Sequence, residues 1–347
     1  MFINARRGLL FLLSLLFTAV VSAPQSRPTQ PRAGRISLDV IVDRKSGPPV
    51  SGLQQQDFTV LDNKVPQALT SFQAVDGRQA ANEVILLIDA VNTDYQRVAY
   101  ERNEIDKFLR AEGGHLAYPT ALAVLTDTGT QIQPGFSRDG NALSASLDQY
   151  TVGLRTVRRD TGFYGAAERY QISLRGLHEL IEREAPRPGR KIILWVSPGW
   201  PLLSGPNVEI DAKEQQQLFA DIVSFSTQLL QARITLYSID PLGTADAGGF
   251  RTFYWKDFVK GIGKPGQAQA GNLGLEVLAT QSGGIALSSS NDVAALLRRC
   301  IADIGSYYEL SFTSPIGDQP NEYHNLEIHI ARAGLTARTR KGYYSQP

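Results

Sequence analysis

The sequence predicts an α/β fold: a doubly wound, mainly parallel sheet flanked at both ends by β segments that form a small β unit. Three observations predict it. Between residues 83 and 304, continuous apolar runs alternate with helical segments, the pattern of βαβ units in a parallel sheet. Over 35–76 and 305–347, apolar and polar residues alternate with period two, as in strands covered on one face. The one cysteine, Cys300, excludes an internal disulfide, so stability has to come from a core.

The elements follow in order. Arg6 and Arg7 precede an apolar run from Gly8 to Val21. That is a basic region and an apolar region of secretory-signal length, too short for a comfortable membrane span. Val20 and Ser22 suit the small-residue positions of a cleavage site, so residues 1–22 are expected to be removed, with an uncleaved N-terminal anchor as the alternative, and 23–34 to be a polar linker. Ile36, Leu38, Val40 and Val42 alternate in a first strand. Asp57–Asp62 and Gln67–Val75 supply two more, separated by a turn at Asp62-Asn-Lys64.

Val84–Ile88 is a continuous apolar run, predicting a central strand covered on both faces. Tyr95–Leu109 reads as a helix, 120–126 and 129–136 as strands joined by a turn, and 139–150 and 163–184 as helices. Lys191–Val196 and Ile234–Ile239 are further buried strands, with a helix over 211–232 between them. Residues 272–281 and 291–304 read as helices around a short strand at 284–287. Cys300 sits in the apolar stripe of the last helix as a small hydrophobe. The tail predicts three strands, 307–313, 325–331 and 335–344, and 241–270 a long Gly-rich loop.

The 347 residues carry a net charge of +1, which becomes −1 once Arg6 and Arg7 are cleaved away. That balance gives no reason to expect nucleic acid or an anionic membrane surface as partner. Gly261-Ile-Gly-Lys-Pro-Gly266 fits the dinucleotide fingerprint only in letters, since it follows no strand and contains a proline. The histidines, His115, His178, His324 and His329, show no metal-ligand spacing, and the last two are expected on the surface of an edge strand. No Gly-x-Ser-x-Gly elbow is present. Phe253-Tyr-Trp255 reads equally as a contact surface or as packing for the long loop.

Four segments in order carry a resemblance: Gly52-Leu-Gln-Gln-Gln-Asp57-Phe, Asp89-Ala-Val-Asn-Thr93, Trp195-Val-Ser-Pro-Gly199 and Arg340-Lys-Gly-Tyr-Tyr344. Together they resemble the von Willebrand factor A domain family, and most of all its acidobacterial VWFA-related proteins. The resemblance implies a Rossmann-like core with a metal-ion-dependent adhesion site at the carboxyl end of the sheet. It places Asp89 at the family's first aspartate, Thr93 at its second serine, and Thr161 in the threonine loop. Val91 stands where the first serine belongs and Pro198 where a later aspartate belongs, so the site is degenerate. Asp89, Thr93 and Thr161 would hold Mg²⁺ only weakly, because this ion sheds water reluctantly and needs hard oxygen ligands. The alternative role for Asp89 is to cap the helix that follows or to satisfy loop amides.

The expectation is an exported binding or scaffold module, secreted or periplasmic, without a cofactor and without enzymatic activity. It would meet a protein or matrix partner through rim loops carrying Asp89, Asn92, Thr93, Asp160, Thr161 and Ser197. A periplasmic hydrolase using the same rim is the alternative.

Overall fold

A computed structural model of the chain describes residues 34–345 apart from 46, 94, 151–161, 202, 204–209, 243–253, 289, 316 and 318. The predicted signal, most of the linker, and Asp160 and Thr161 lie outside the described residues. Pro31–Pro347 is one compact unit.

At its centre lies a sheet built from β5 (Asn82–Asp89), β6 (His115–Thr126), β7 (Gly129–Ile132), β8 (Ser137–Asp139), β9 (Arg190–Val196), β10 (Ile234–Ile239) and β11 (Ala286–Leu287). Its order is β11-β10-β9-β5-β6-β7, with β8 also on β6. The pairs β5–β6, β5–β9, β9–β10 and β10–β11 are parallel, and β7 runs antiparallel at the edge. Leaving β8 aside and counting along the chain, this is the 3-2-1-4-5-6 order of doubly wound folds. The run at 84–88 is central, as its unbroken apolarity predicts.

Helices cover both faces. On one, Ile85, Leu87, Ile193 and Leu236 pack with Leu177 of α3 (Gly162–Glu184), Leu229 of α4 (Ala212–Gln231) and Leu278 of α5 (Leu275–Gln281). On the other, Val84, Leu86, Ile192 and Leu194 pack with Ile105 of α1 (Tyr95–Arg110), Leu143 of α2 (Gly140–Tyr150) and Leu297 of α6 (Val293–Ala302). Each such side chain contributes about 1.5–3 kcal/mol on burial. Cys300 belongs to this second core, and burial pushes its thiol well above the usual range.

The flanking segments interleave into two antiparallel sheets. β1 (Arg35–Asp43) lies between β12 (Ser306–Thr313) and β14 (Thr336–Arg338), and β4 (Leu69–Asp76) pairs with the far side of β12. β13 (Tyr323–Ile330) lies between β2 (Phe58–Asp62) and β15 (Gly342–Tyr344), with β3 (Val65–Gln67) outside β2. Leu38, Val60, Tyr308, Leu310 and Leu326 form their shared core. Asn63 and Lys64, both at positive φ, close β2 onto β3, the backbone that a two-residue hairpin requires.

Several expectations change. The strand predicted over 335–344 is two strands in different sheets, because the chain crosses between the sheets at 339–341. The segment 67–75 likewise splits at residue 68 into β3 and β4. The strand predicted over 129–136 stops at Ile132, and a second short strand, β8, returns to β6. The helix predicted from residue 272 begins at Leu275, after a 3₁₀ turn at Ala270–Leu273. Within the predicted loop 241–270, Phe258, Ala268 and Ala270 are buried. Phe253 lies outside the described residues, while Tyr254 packs against Phe258 at 5.1 Å between ring centroids.

His324 is not a surface residue. It is buried on an internal strand, stacked on Tyr343, with Nδ1 2.8 Å from Asp62 Oδ1. The Tyr343 hydroxyl donates to the other Asp62 oxygen at 2.6 Å. One carboxylate anchors both rings, and that compensation lets polar groups sit between strands. His329 is exposed, as expected.

Charge joins the two parts. Arg233, at φ +52 before β10, donates to Asp39 of β1 at 2.6 Å and to Glu309 of β12 at 2.5 Å. Arg190, fully buried at the start of β9, lies over the Tyr307 ring at 4.9 Å and 3.6 Å from Asp39.

Candidate functional site

In an open doubly wound sheet, the crevice outside the carboxyl ends of the strands, where strand order reverses, is the usual place for a ligand. Here that position lies between β5 and β9. β5 ends at Asp89, and β9 leads directly into Ser197.

The Asp89 side chain is completely buried and accepts five hydrogen bonds. Oδ1 takes the backbone N–H groups of Val91 at 3.0 Å and Asn92 at 2.9 Å. Oδ2 takes Asn92 Nδ2 at 2.9 Å, the Trp195 indole N–H at 3.1 Å and the Ser197 hydroxyl at 2.8 Å. A carboxylate offers about four lone-pair sites, so none remains open.

The surrounding residues extend this network. Asn92 Nδ2 also reaches Ser173 Oγ on α3 at 2.9 Å, and Ser173 donates back to the Arg169 carbonyl at 2.8 Å. Ser197 Oγ accepts the Gly199 N–H at 3.0 Å, which fixes the turn that follows β9. Trp200 packs edge-on against Trp195, with ring centroids 5.1 Å apart, and is fully buried. Thr93 is buried, and its hydroxyl has no hydrogen-bond partner among the described residues.

Of the residues read from the sequence, Asp89, Asn92 and Ser197 are therefore in direct contact. Thr93 is beside them without a bond, and Asp160 and Thr161 fall outside the described residues. Ser173, Trp195 and Trp200 escaped the reading as parts of the site. Trp195 had a readable signal: an indole N–H in an otherwise apolar strand must find an acceptor, and Asp89 ends the neighbouring strand.

A divalent cation needs a carboxylate oxygen turned toward it, and Asp89 presents none, because protein donors already engage both. Val91 and Pro198 have no side-chain oxygen to add. As arranged, the described residues do not fit the ion that the family resemblance implies. No group of three or more His, Cys, Asp or Glu gathers as metal ligands anywhere among the described residues.

The rim beyond this knot is shaped by α3. Ser173 meets the Asp89 loop, and the helix runs on toward its own N-terminus past that level. Tyr164 lies nine residues earlier, about 13 Å further along the axis at 1.5 Å per residue. It is 84% exposed, the most exposed large hydrophobic side chain among the described residues.

No protein-family model matches the chain, and no curated protein matches it in sequence. Among solved structures it is similar to the human COPII-coat protein Sec24c, with 9% identity and a TM-score of 0.38, over 77% of this chain and 44% of that one. It is similar to the manganese-loaded TRAP protein of Plasmodium vivax, with 11% identity and a TM-score of 0.33, over 78% of this chain and 96% of that one. The pilus adhesin SpaC of Lactobacillus rhamnosus GG is similar at 9% identity and a TM-score of 0.38, over 86% of this chain and 49% of that one. The chain thus spans less than half the length of Sec24c or SpaC. Likeness this distant says nothing of activity or partner.

Proposed function

We propose that this chain is an exported binding module with a von Willebrand factor A-like core, which meets a protein or matrix partner at its carboxyl rim without a cation. The saturated Asp89 carboxylate carries the reading. In place of an ion, the Trp195 indole, the Asn92 amide and the Ser197 hydroxyl satisfy the acidic residue at the switch point. The adhesion-site loop then serves as a structural lock, and recognition falls to what projects beyond it, the N-terminal turn of α3 with Tyr164. An exposed tyrosine supplies contact area and a hydroxyl at little conformational cost.

A hydrolase on the same rim is less well supported. Ser197 is the hydroxyl placed for such a role, yet it is buried and donates to Asp89. Its partner is thus a carboxylate with no further acceptor capacity, and no histidine is bonded to it.

Export rests on the N-terminal pattern, and sequencing of secreted material should begin at Ala23. The cation question is tested by thermal unfolding in EDTA and in several millimolar Mg²⁺ or Mn²⁺. An unoccupied site gives ligand linkage of only about 0.5 kcal/mol or less, a shift of roughly a degree or two. A shift of many degrees that disappears in Asp89→Ala would overturn the cation-free reading. For recognition, partner capture from a surface fraction should be equal with and without Mg²⁺ and should fall in Tyr164→Ala.

A further inference from the structure

The terminal motif Arg340-Lys-Gly-Tyr-Tyr344 plays no part in the rim, yet much of it is buried. Arg340 is 7% exposed. Its Nε donates to the Gly342 carbonyl at 3.1 Å and its Nη2 to the Ser226 carbonyl of α4 at 3.2 Å. A guanidinium carries five N–H donors and stays charged in proteins, so these two bonds leave three donors, Nη1 among them. Among the described residues, Arg340 makes no ion pair.

The nearby carboxylates are already committed. Asp39 and Glu309 hold Arg233, and Asp39 also faces Arg190. Three buried or half-buried arginines therefore share two carboxylates, and Arg340 feels Asp39 without bonding to it. Burial pulls its affinity for a proton down to about 10 on the pKa scale, still far above neutrality.

Arg340 lines a partly open pocket of about 30 Å³ between α4, α5, residues 258–262 and the C-terminal strands. The polar lining includes Asn272 and Gln281, with Tyr323 donating to Gln281 at 3.4 Å. Lys260 lies exposed at its mouth, and no carboxylate pairs with it among the described residues. Of the rest of the motif, Tyr344 lines the pocket and Gly342 lets Tyr323 of the lining approach closely. Tyr344 donates to the Ile262 carbonyl at 3.1 Å, and a Cβ on Gly342 would lie 2.3 Å from the Tyr323 hydroxyl and 2.4 Å from the His324 carbonyl oxygen.

We propose that this pocket is a site for one small monovalent anion of chloride size, held by Arg340 with Lys260 at the entrance. Its volume suits one or two water-sized occupants, since about 10–15 Å³ admits a single water. A buried cation needs a counter-charge or full hydrogen bonding to offset its desolvation. An anion provides both, and a neutral water only the second.

The test is thermal unfolding of the full chain at constant ionic strength, with chloride exchanged stepwise for gluconate, which is too large to enter. The wild type should gain a few degrees of Tm, saturating with chloride. Arg340→Met should lose the chloride dependence, and Lys260→Met should move its midpoint several-fold higher. Equal Tm in chloride and gluconate, or an unchanged chloride response in Arg340→Met, would overturn the proposal. Should Arg340→Met not fold, wild-type crystals grown in bromide decide the matter. An anomalous peak beside Arg340 is expected, and an empty pocket in saturating bromide refutes the site.

Discussion

Asp89 binds no fewer donors than a carboxylate can accept, and its neighbours depend on it. Removing it in Asp89→Ala takes the acceptor from the buried Trp195 indole and Ser197 hydroxyl and one of the two acceptors from the Asn92 amide. A buried donor left unsatisfied costs about 1–3 kcal/mol, so the variant should lose about 3 kcal/mol or more in urea unfolding. Asp89→Asn keeps one acceptor and should lose less. Thr93 is the control. Its hydroxyl is buried and unbonded among the described residues, so the near-isosteric Thr93→Val should be neutral or slightly stabilising. A large loss in Thr93→Val would reveal a bond or an ion that this geometry does not contain.

Among the elements, α4 shows how local signals set a boundary. Asp211 accepts the Glu214 N–H at 2.8 Å, and Glu214 accepts the Asp211 N–H at 2.9 Å, a complete capping box. The Asp-x-x-Glu spacing before an apolar stripe is visible in the sequence. Asp211→Ala should therefore cost about 1 kcal/mol, measured by denaturant unfolding. The C-terminal strands behave differently. Locally, the crossing at 339–341 is marked only by a break in apolar spacing, Thr339-Arg-Lys341 before Gly342, which does not say which sheet the chain joins next. Thr339 is drawn aside by a bond to the Asp39 carbonyl at 2.9 Å, and Arg340 by the carbonyls of Gly342 and Ser226. Gly342 is a local partner, but Asp39 and Ser226 lie far away in sequence.

Across Pro31–Pro347, the first described strand closes on the last ones, because β1 takes β12 and β14 as its neighbours. The ion contacts of Arg190 and Arg233 then tie this β unit to the base of the central sheet. Each flanking sheet draws strands from both the N-terminal and the C-terminal segment, so neither segment completes one alone. We expect a single cooperative transition. Tryptophan fluorescence reports Trp195, Trp200 and Trp255, none of them in the flanking strands, and hydrogen-exchange protection of β1, β12 and β13 against denaturant reports the β unit. The two curves should coincide, and Arg233→Ala should move both together. Two separated transitions would show that the parts are stable independently.

The sequence by itself determined the central sheet. Unbroken apolar runs can only be satisfied between two covered faces, and 84–88, 120–126, 191–196 and 234–239 all lie there. It also determined that Asp89 ends the central strand and that the oxygens of a divalent site are incomplete, because Val91 and Pro198 have none. Only the tertiary structure decided what Asp89 does instead. Its donors come from the next strand and from its own loop, and that loop is held in turn by α3, so no short window of sequence contains them. The same holds for His324, which looked like a surface residue of an edge strand until Asp62, 262 positions away, supplied its acceptor. It holds again for Arg340, whose burial depends on α4 and α5 closing over a tail that reads as one more strand. Local pattern records which side chains must leave water, whereas the partner of a buried charge is set by which distant elements the fold brings beside it.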